Sequence, residues 1–279
     1  MVAALNSTRP LNQPAPLSAS AIIDALGSDW CQACIVEAVA STVSTNEDLV
    51  TRARAQQPTQ LLLRAADFQH AGRGRSKRLW HAAAGDALLF SVAIPLSSSS
   101  QSLPAVTLAC GVALAETFVE RGIAVQLKWP NDIRVEGCKL GGILTELVAD
   151  RSARQTLVVG VGVNVRLDDR MRRIIGQPST ALDRLPPANG VLREQWIGRL
   201  GAAIYHAALQ FIEIGFEPFR ERYNQLLESR GELVDVLDVA AGAPRLSGYL
   251  IEVDHQGRLV IEANGQRHAL NVGDVSIRR

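Results

Sequence analysis

From Leu61 to Val165 the chain alternates apolar runs of strand length with short turns, and its chemically able side chains collect where the runs stop. Leu61 to Ala65 reads as a buried strand that delivers Asp67 and Gln69 to its end. Ala87 to Leu96 is a second, with Leu88, Phe90, Val92 and Ile94 on one face because side chains alternate along a strand. Ile123 to Lys128 runs into Lys128-Trp129-Pro130-Asn131-Asp132, where Pro130 removes a backbone donor and breaks the ladder. A hairpin through Glu136-Gly137 introduces a strand that begins near Lys139, and a turn over Asp150 to Arg154 leads to Leu157 to Val165. Gln69, Asp132, Lys139 and Asn164 thus fall at strand ends or turns, where a sheet positions binding and catalytic groups.

Helices complete the frame. Leu103 to Val119 is a buried helix, Ser18 to Leu26 a short one, and Leu192 to Ile212 with Phe216 to Leu227 an amphipathic pair. Ile35 to Val39 adds a strand, and Ser97 to Ser102 is a polar connection. After Gly231 the texture changes to short strands (233–239, 246–253, 259–263, 267–270, 275–278) with Asp254-His255-Gln256-Gly257 and Asn264-Gly265 as hairpin turns, which predicts a small antiparallel barrel. The expected divisions are a disordered tail over 1–18, a catalytic domain over 19–230 and the barrel over 231–279.

A formal charge of +1 gives no global field toward nucleic acid or membrane. Aromatic residues are 5% of the chain, too few for a base-stacking surface, and no apolar run reaches membrane-spanning length. The first 18 residues lack the basic start and apolar stretch of a secretory signal. Cys31 and Cys34 form a C-x-x-C pair, but no second pair completes a tetrahedral metal site, so reduced cytoplasmic thiols are expected.

Against that neutral background, Gln69 to Trp80 concentrates Arg73, Arg75, Lys77 and Arg78 around Gly72 and Gly74. Glycines allow main-chain N–H groups to approach a ligand closely, and guanidinium forks suit phosphate or carboxylate. Alone, such a loop is as often a solvated turn. Four like charges repel until an anion arrives, so closure over a ligand is expected. Ser44 with Glu47 reads as a capping box, while Thr45 and Asn46 share the first helical turn, where free N–H groups converge. Gly160 and Gly162 inside a strand imply close approach of a ligand or another chain segment.

In their order, these motifs resemble those of the biotin protein ligases. The likeness rests on Ser44-Thr45-Asn46, on Gln69 with Gly72-Arg73-Gly74-Arg75 and Trp80, on Lys128 to Asp132, on Lys139-Leu140 with Gly142-Ile143-Leu144, and on Gly160 to Asn164. It spans about Ile35 to Arg279. The resemblance implies an α+β fold, a catalytic domain like that of class II aminoacyl-tRNA synthetases (a mixed sheet flanked by helices), and an SH3-like C-terminal barrel. It implies activation of biotin with ATP and Mg²⁺ to biotinyl-5′-AMP, then transfer to a lysine of a biotin carboxyl carrier protein.

By the same resemblance, Lys139, Asp132 and Arg75 are the catalytic groups. Ser44, Thr45, Asn46, Gln69, Arg73, Gly74, Arg75, Lys139, Trp80, Gly160 and Gly162 would hold biotin. Gly72, Arg73, Arg75, Arg78, Asn131, Lys139 and Asn164 would hold the nucleotide, with Mg²⁺ carried on its phosphates and no protein ligands assigned to it. The segment ahead of Ser44 is too short for the DNA-binding domain of the repressor branch, which implies the monofunctional branch, cytoplasmic, with no DNA or membrane partner; a homodimer is compatible with it. One departure stands out: Ser76-Lys77-Arg78 occupies positions where the family's loop continues Arg-Gly-Arg, which bears on how tightly the loop closes. A lipoate ligase would carry a Gly-Gly-Gly-type loop in place of Gly72 to Arg75, and a module that only binds biotin would lack Lys139 or Asp132.

Overall fold

A computed structural model of the chain describes residues 15–27, 34–75, 78–96, 105–238, 244–271 and 275–278. Its larger sheet has seven strands in the order β1 (Cys34–Thr42), β2 (Leu61–Gln69), β3 (Ala87–Pro95), β7 (Gln155–Asn164), β6 (Cys138–Ala149), β5 (Asp132–Val135) and β4 (Gln126–Lys128). Only β1 and β2 run parallel, joined by the crossover helix α2 (Thr45–Ala55); the other pairs are antiparallel, so the sheet is mixed. Glu136 and Gly137, with φ of 48° and 74°, form the two-residue turn between β5 and β6, a left-handed pair that favours glycine.

Strand alternation divides the molecule into layers. On one face Leu88, Phe90, Val92 and Ile94 join Val159, Val161 and Val163 in the main core, beneath α1 (Ala19–Leu26), α3 (Val106–Val119), α5 (Arg193–Ile214) and α6 (Glu217–Leu226). On the other face α2 buries Leu49, Val50 and Ala53 against Leu62, Ala93, Val148 and Val158. That second cluster is small and covers only part of the sheet. Beyond the N-terminus of α2 the same face carries Ser91, Gly160 and Gly162, and there the sheet opens into a cleft.

The expected tail needs correction at its end. Ser18 caps α1, Leu17 N–H donates to Asp67 at 3.1 Å, and Arg193 both pairs with Asp67 at 2.7 Å and donates to the Ala15 carbonyl, so 15–18 are tied to the body. Residues 1–14 lie outside the described ones, as do the polar connection at 97–102 and Cys31. The strand expected from Ile123 is shorter, running from Gln126 to Lys128.

The C-terminal strands form a second antiparallel sheet, β11 (Gln266–Leu270), β10 (Leu259–Ala263), β9 (Pro244–Val253), β8 (Leu233–Asp238) and β12 (Val275–Arg278). Its Val234, Val236, Leu250, Val253, Leu259 and Ile261 are continuous with the main core. Trp129 Nε1 donates to the Gly257 carbonyl at 3.2 Å, linking the motif around Pro130 to this sheet. Among the described residues no helix is long and apolar enough to cross a membrane.

The turn between β6 and β7 carries its own prediction. Burial pushes the Asp150 carboxyl up, but hydrogen bonds from the Arg154 side chain and from the N–H groups of Gln57, Arg154 and Ser152 outweigh it and hold the pKa down to about 2. The folded value lies below the ordinary carboxylate value of about 3.9, so the stabilisation is present above that value and disappears as pH falls toward 2. Asp150→Asn should therefore lower the thermal midpoint at neutral pH, with the gap to wild type closing between about pH 4 and 2.

Candidate active site

The cleft has a volume of about 510 Å³, within the usual range for small-molecule sites. Among the described residues lining it, five are cationic (Arg73, Arg75, Arg78, Lys128 and Lys139) and one, Asp132, is acidic. A protein near neutrality overall thus concentrates positive charge in one concavity, which suits a polyanion. Burial lowers the pKa of Arg75, as does neighbouring Arg78, with partial relief from Asp132. Lys128 is lowered first by burial and then by Arg134, against the opposing pull of Glu228 and Asp132. Both cations lack a full complement of counter-charge, and an entering anion would supply it.

One wall is the N-terminus of α2. Ser44 caps it, its hydroxyl accepting from Glu47 N–H at 3.4 Å, while the Glu47 carboxylate lies 3.5 Å from Arg73. Gln69 Oε1 accepts from Thr45 N–H at 2.7 Å and Thr45 Oγ1 at 3.0 Å, and the Thr45 hydroxyl lies 2.8 Å from Ser91 Oγ. Strand β2 therefore brings Gln69 against the helix start, as its position at a strand end implied. The floor is β7. A Cβ on Gly160 would stand 2.6 Å from Asn46 Oδ1, and one on Gly162 2.8 Å from the Trp80 ring. Both glycines face a neighbouring side chain at the closest range a backbone permits.

The described parts of the flap, 72–75 and 78–80, are tied to each other. Trp80 N–H donates to the Gly72 carbonyl at 2.8 Å, Gly74 N–H to Arg78 at 2.7 Å, and Arg73 bridges to Leu79. Ser76 and Lys77, where the motif departs from the family, lie outside the described residues. Gly72 supports Gln69 rather than lining the cleft: a Cβ there would meet Gln69 Nε2 at 2.6 Å.

Opposite the flap, Lys139 Nζ donates to Asp132 Oδ1 at 2.6 Å and sits 5.8 Å from the Trp80 ring centroid. The Lys139 backbone is clamped, its N–H donating to Pro178 and its carbonyl accepting from Thr180, each at 2.9 Å. Asn164 Nδ2 donates to the Thr180 carbonyl at 3.0 Å and to the Lys139 carbonyl at 3.4 Å, so this amide buttresses Lys139. Asn131 Nδ2 donates to the Ile143 carbonyl at 3.0 Å, and its Oδ1 accepts from Arg75 at 3.5 Å. Every other residue expected at the site from the sequence lines this single cleft.

The sequence reading missed one wall. Helix α4 (Asp169–Ile175) and the segment after it bring Ile174, Ile175, Gln177 and Ser179 to the cleft. Asp168 at its N-cap and Gly176 beyond its end were the available signals. Ser91, which lines the cleft, was also missed, since a polar residue inside an apolar strand carries no motif. Burial pushes the Cys34 thiol up to about 11, despite a hydrogen bond to the Leu63 backbone, and so disfavours the reactive thiolate. No cluster of three or more His, Cys, Asp or Glu side chains is placed to hold a metal among the described residues.

A mixed sheet whose open face joins a helix start, a cationic flap and a strand-borne lysine defines a cleft suited to an anion. The model of the biotin/lipoate A/B protein ligase family matches residues 38–164, which include the flap and all the motifs around it except the wall from α4. The biotin–[acetyl-CoA-carboxylase] ligase of Mycobacterium tuberculosis is 32% identical over 282 residues, covering 93% of this chain and 95% of that one. The chain belongs to this ligase family. It is also 34% identical over 160 residues to the bifunctional ligase/repressor BirA of Bacillus subtilis; that match covers 56% of the chain and about half (48%) of the relative. The fold is that of the biotin protein ligase of Aquifex aeolicus in complex with biotin and ATP, with a TM-score of 0.72 at 24% identity over 89% of this chain and 99% of that one.

Proposed function

We propose that the chain is an ATP-dependent biotin protein ligase acting in the cytoplasm on a biotin carboxyl carrier domain. The observation that carries this reading is the gathering of Arg73, Arg75 and Lys139 around one cleft, with Asp132 paired to Lys139. In the first step a biotin carboxylate oxygen attacks the α-phosphorus of ATP, the bond to pyrophosphate breaks, and biotinyl-5′-AMP forms. Two anions must meet, and fixed cations and N–H donors aimed at the junction cancel their repulsion. Lys139 contacts the carboxylate and α-phosphate, Arg73, Arg75 and Arg78 the phosphates, and Asn131 helps hold the nucleotide. Mg²⁺, brought on the phosphates, would supply further charge neutralisation.

In the second step the carrier lysine attacks the acyl carbon, the bond to AMP breaks, and the amine's proton is lost. Asp132 orients that amine and accepts its proton. Biotin's cyclic urea lies against Ser44, Thr45, Asn46 and Gln69, with Trp80 and the Gly160–Gly162 strand over its apolar faces. We read the C-terminal sheet as the small SH3-like barrel of the family, and residues 19–230 as the catalytic domain.

Incubation with ATP, Mg²⁺ and either biotin or lipoate tests the reading. Labelled pyrophosphate should enter ATP with biotin; exchange with lipoate alone, or with neither, would overturn it. Gly162→Ala is expected to push the Trp80 ring aside, since the new methyl would stand 2.8 Å from it. Overpacking of this kind costs about 1–3 kcal/mol, so the KM for biotin should rise by about 5- to 150-fold while that for ATP changes little.

A further inference from the structure

Asn46 lines the cleft at 6% exposure, yet its carbonyl Oδ1 meets no hydrogen-bond donor among the described residues. A buried acceptor without a partner costs free energy unless a ligand satisfies it. The other end of the amide is engaged: Nδ2 donates to Glu146 Oε2 at 2.5 Å. A carboxylate accepts and does not donate, so this contact decides which way round the amide sits. The oxygen is then turned over Gly160, whose missing side chain leaves it room. Nearby Gln69 Oε1 is already taken by two donors from Thr45. Glu146 itself lies outside the cleft lining, two residues along β6 from Leu144, which does line it.

We propose that Glu146 is a positioning residue that locks the Asn46 amide with its oxygen toward the cleft, where it accepts an N–H of the substrate's cyclic urea. The inference rests on the proposed activity and extends it, because it assigns part of the substrate selectivity to a residue that does not touch substrate. Without Glu146 the amide can turn over and present its NH₂ group to a substrate N–H, so donor would face donor. A role confined to holding α2 on the sheet would lower stability without changing the choice between substrates.

The test compares biotin with two cyclic carbamate analogues, each with one urea N–H replaced by oxygen, in pyrophosphate exchange by wild type, Glu146→Ala and Glu146→Gln, with thermal midpoints measured alongside. Wild type should prefer biotin over one analogue by about tenfold or more in kcat/KM, the worth of one hydrogen bond. In E146A that preference should collapse to within about threefold, with the KM for ATP unchanged. E146Q, which offers Asn46 an acceptor or a donor, should fall between; it also carries the test should E146A fail to fold. Retention of the full wild-type preference in the folded variants would overturn the inference alone. A wild type that does not exchange pyrophosphate with biotin would overturn the proposed activity first.

Discussion

Asp132→Asn is expected to slow transfer of biotin from preformed biotinyl-5′-AMP to a carrier lysine by about 10²–10⁴-fold, the usual worth of a positioned general base. Adenylate formation should fall far less. Among the described residues Asp132 is the one acidic residue lining the cleft, and it sits at the start of β5, where the chain has just passed Pro130. The substitution keeps shape and hydrogen-bonding capacity and removes the charge. Asp132 is held at 2.6 Å by Lys139 in the structure. An anion arriving at the cleft competes for that ammonium, so adenylate formation would release the carboxylate for the amine that follows. Single-turnover rates for the two steps, measured separately, decide the matter: equal slowing of both would remove Asp132 from the second step.

Lys139→Ala should act on the other half-reaction. Its main chain is fixed by Pro178, Thr180 and, through the carbonyl, Asn164, so truncation removes the ammonium without freeing the strand. Loss of a charge-assisted hydrogen bond of about 1.5–3 kcal/mol corresponds to adenylate formation slowed about ten- to hundredfold or somewhat more. Transfer from supplied biotinyl-5′-AMP should be slowed less. Undiminished adenylate formation in this variant would contradict the role assigned to Lys139.

Much of the sheet was legible because its alternation is strong. Leu88, Phe90, Val92 and Ile94 share the core face as read, and Gly160 and Gly162 lie where side chains approach closely. The motifs around Gln69, Asp132 and Lys139 converge because each ends or starts a strand of one sheet, and neighbouring strands bring their ends together. What escaped was set by tertiary contact. Ile174 reaches the cleft from a seven-residue helix with no buried face, which offers no periodic signal, and Gln177 from the segment just after it. Glu146 gains meaning only across 100 residues, through Asn46. The capping box read at Ser44 and Glu47 resolves into two separate jobs, since Ser44 caps the helix while the Glu47 carboxylate faces Arg73. The composition change at Gly231 marks the start of a second sheet, but Val234 and Leu250 share the main core, a continuity invisible to local composition.

A crystal structure with biotinyl-5′-AMP bound tests the central claim most directly. Lys139 Nζ should have left Asp132 Oδ1 for the bond between the acyl group and the phosphate, with Arg73 and Arg75 drawn to the same junction. Lys139 still paired with Asp132, and both guanidinium groups turned to solvent beside a bound adenylate, would contradict it.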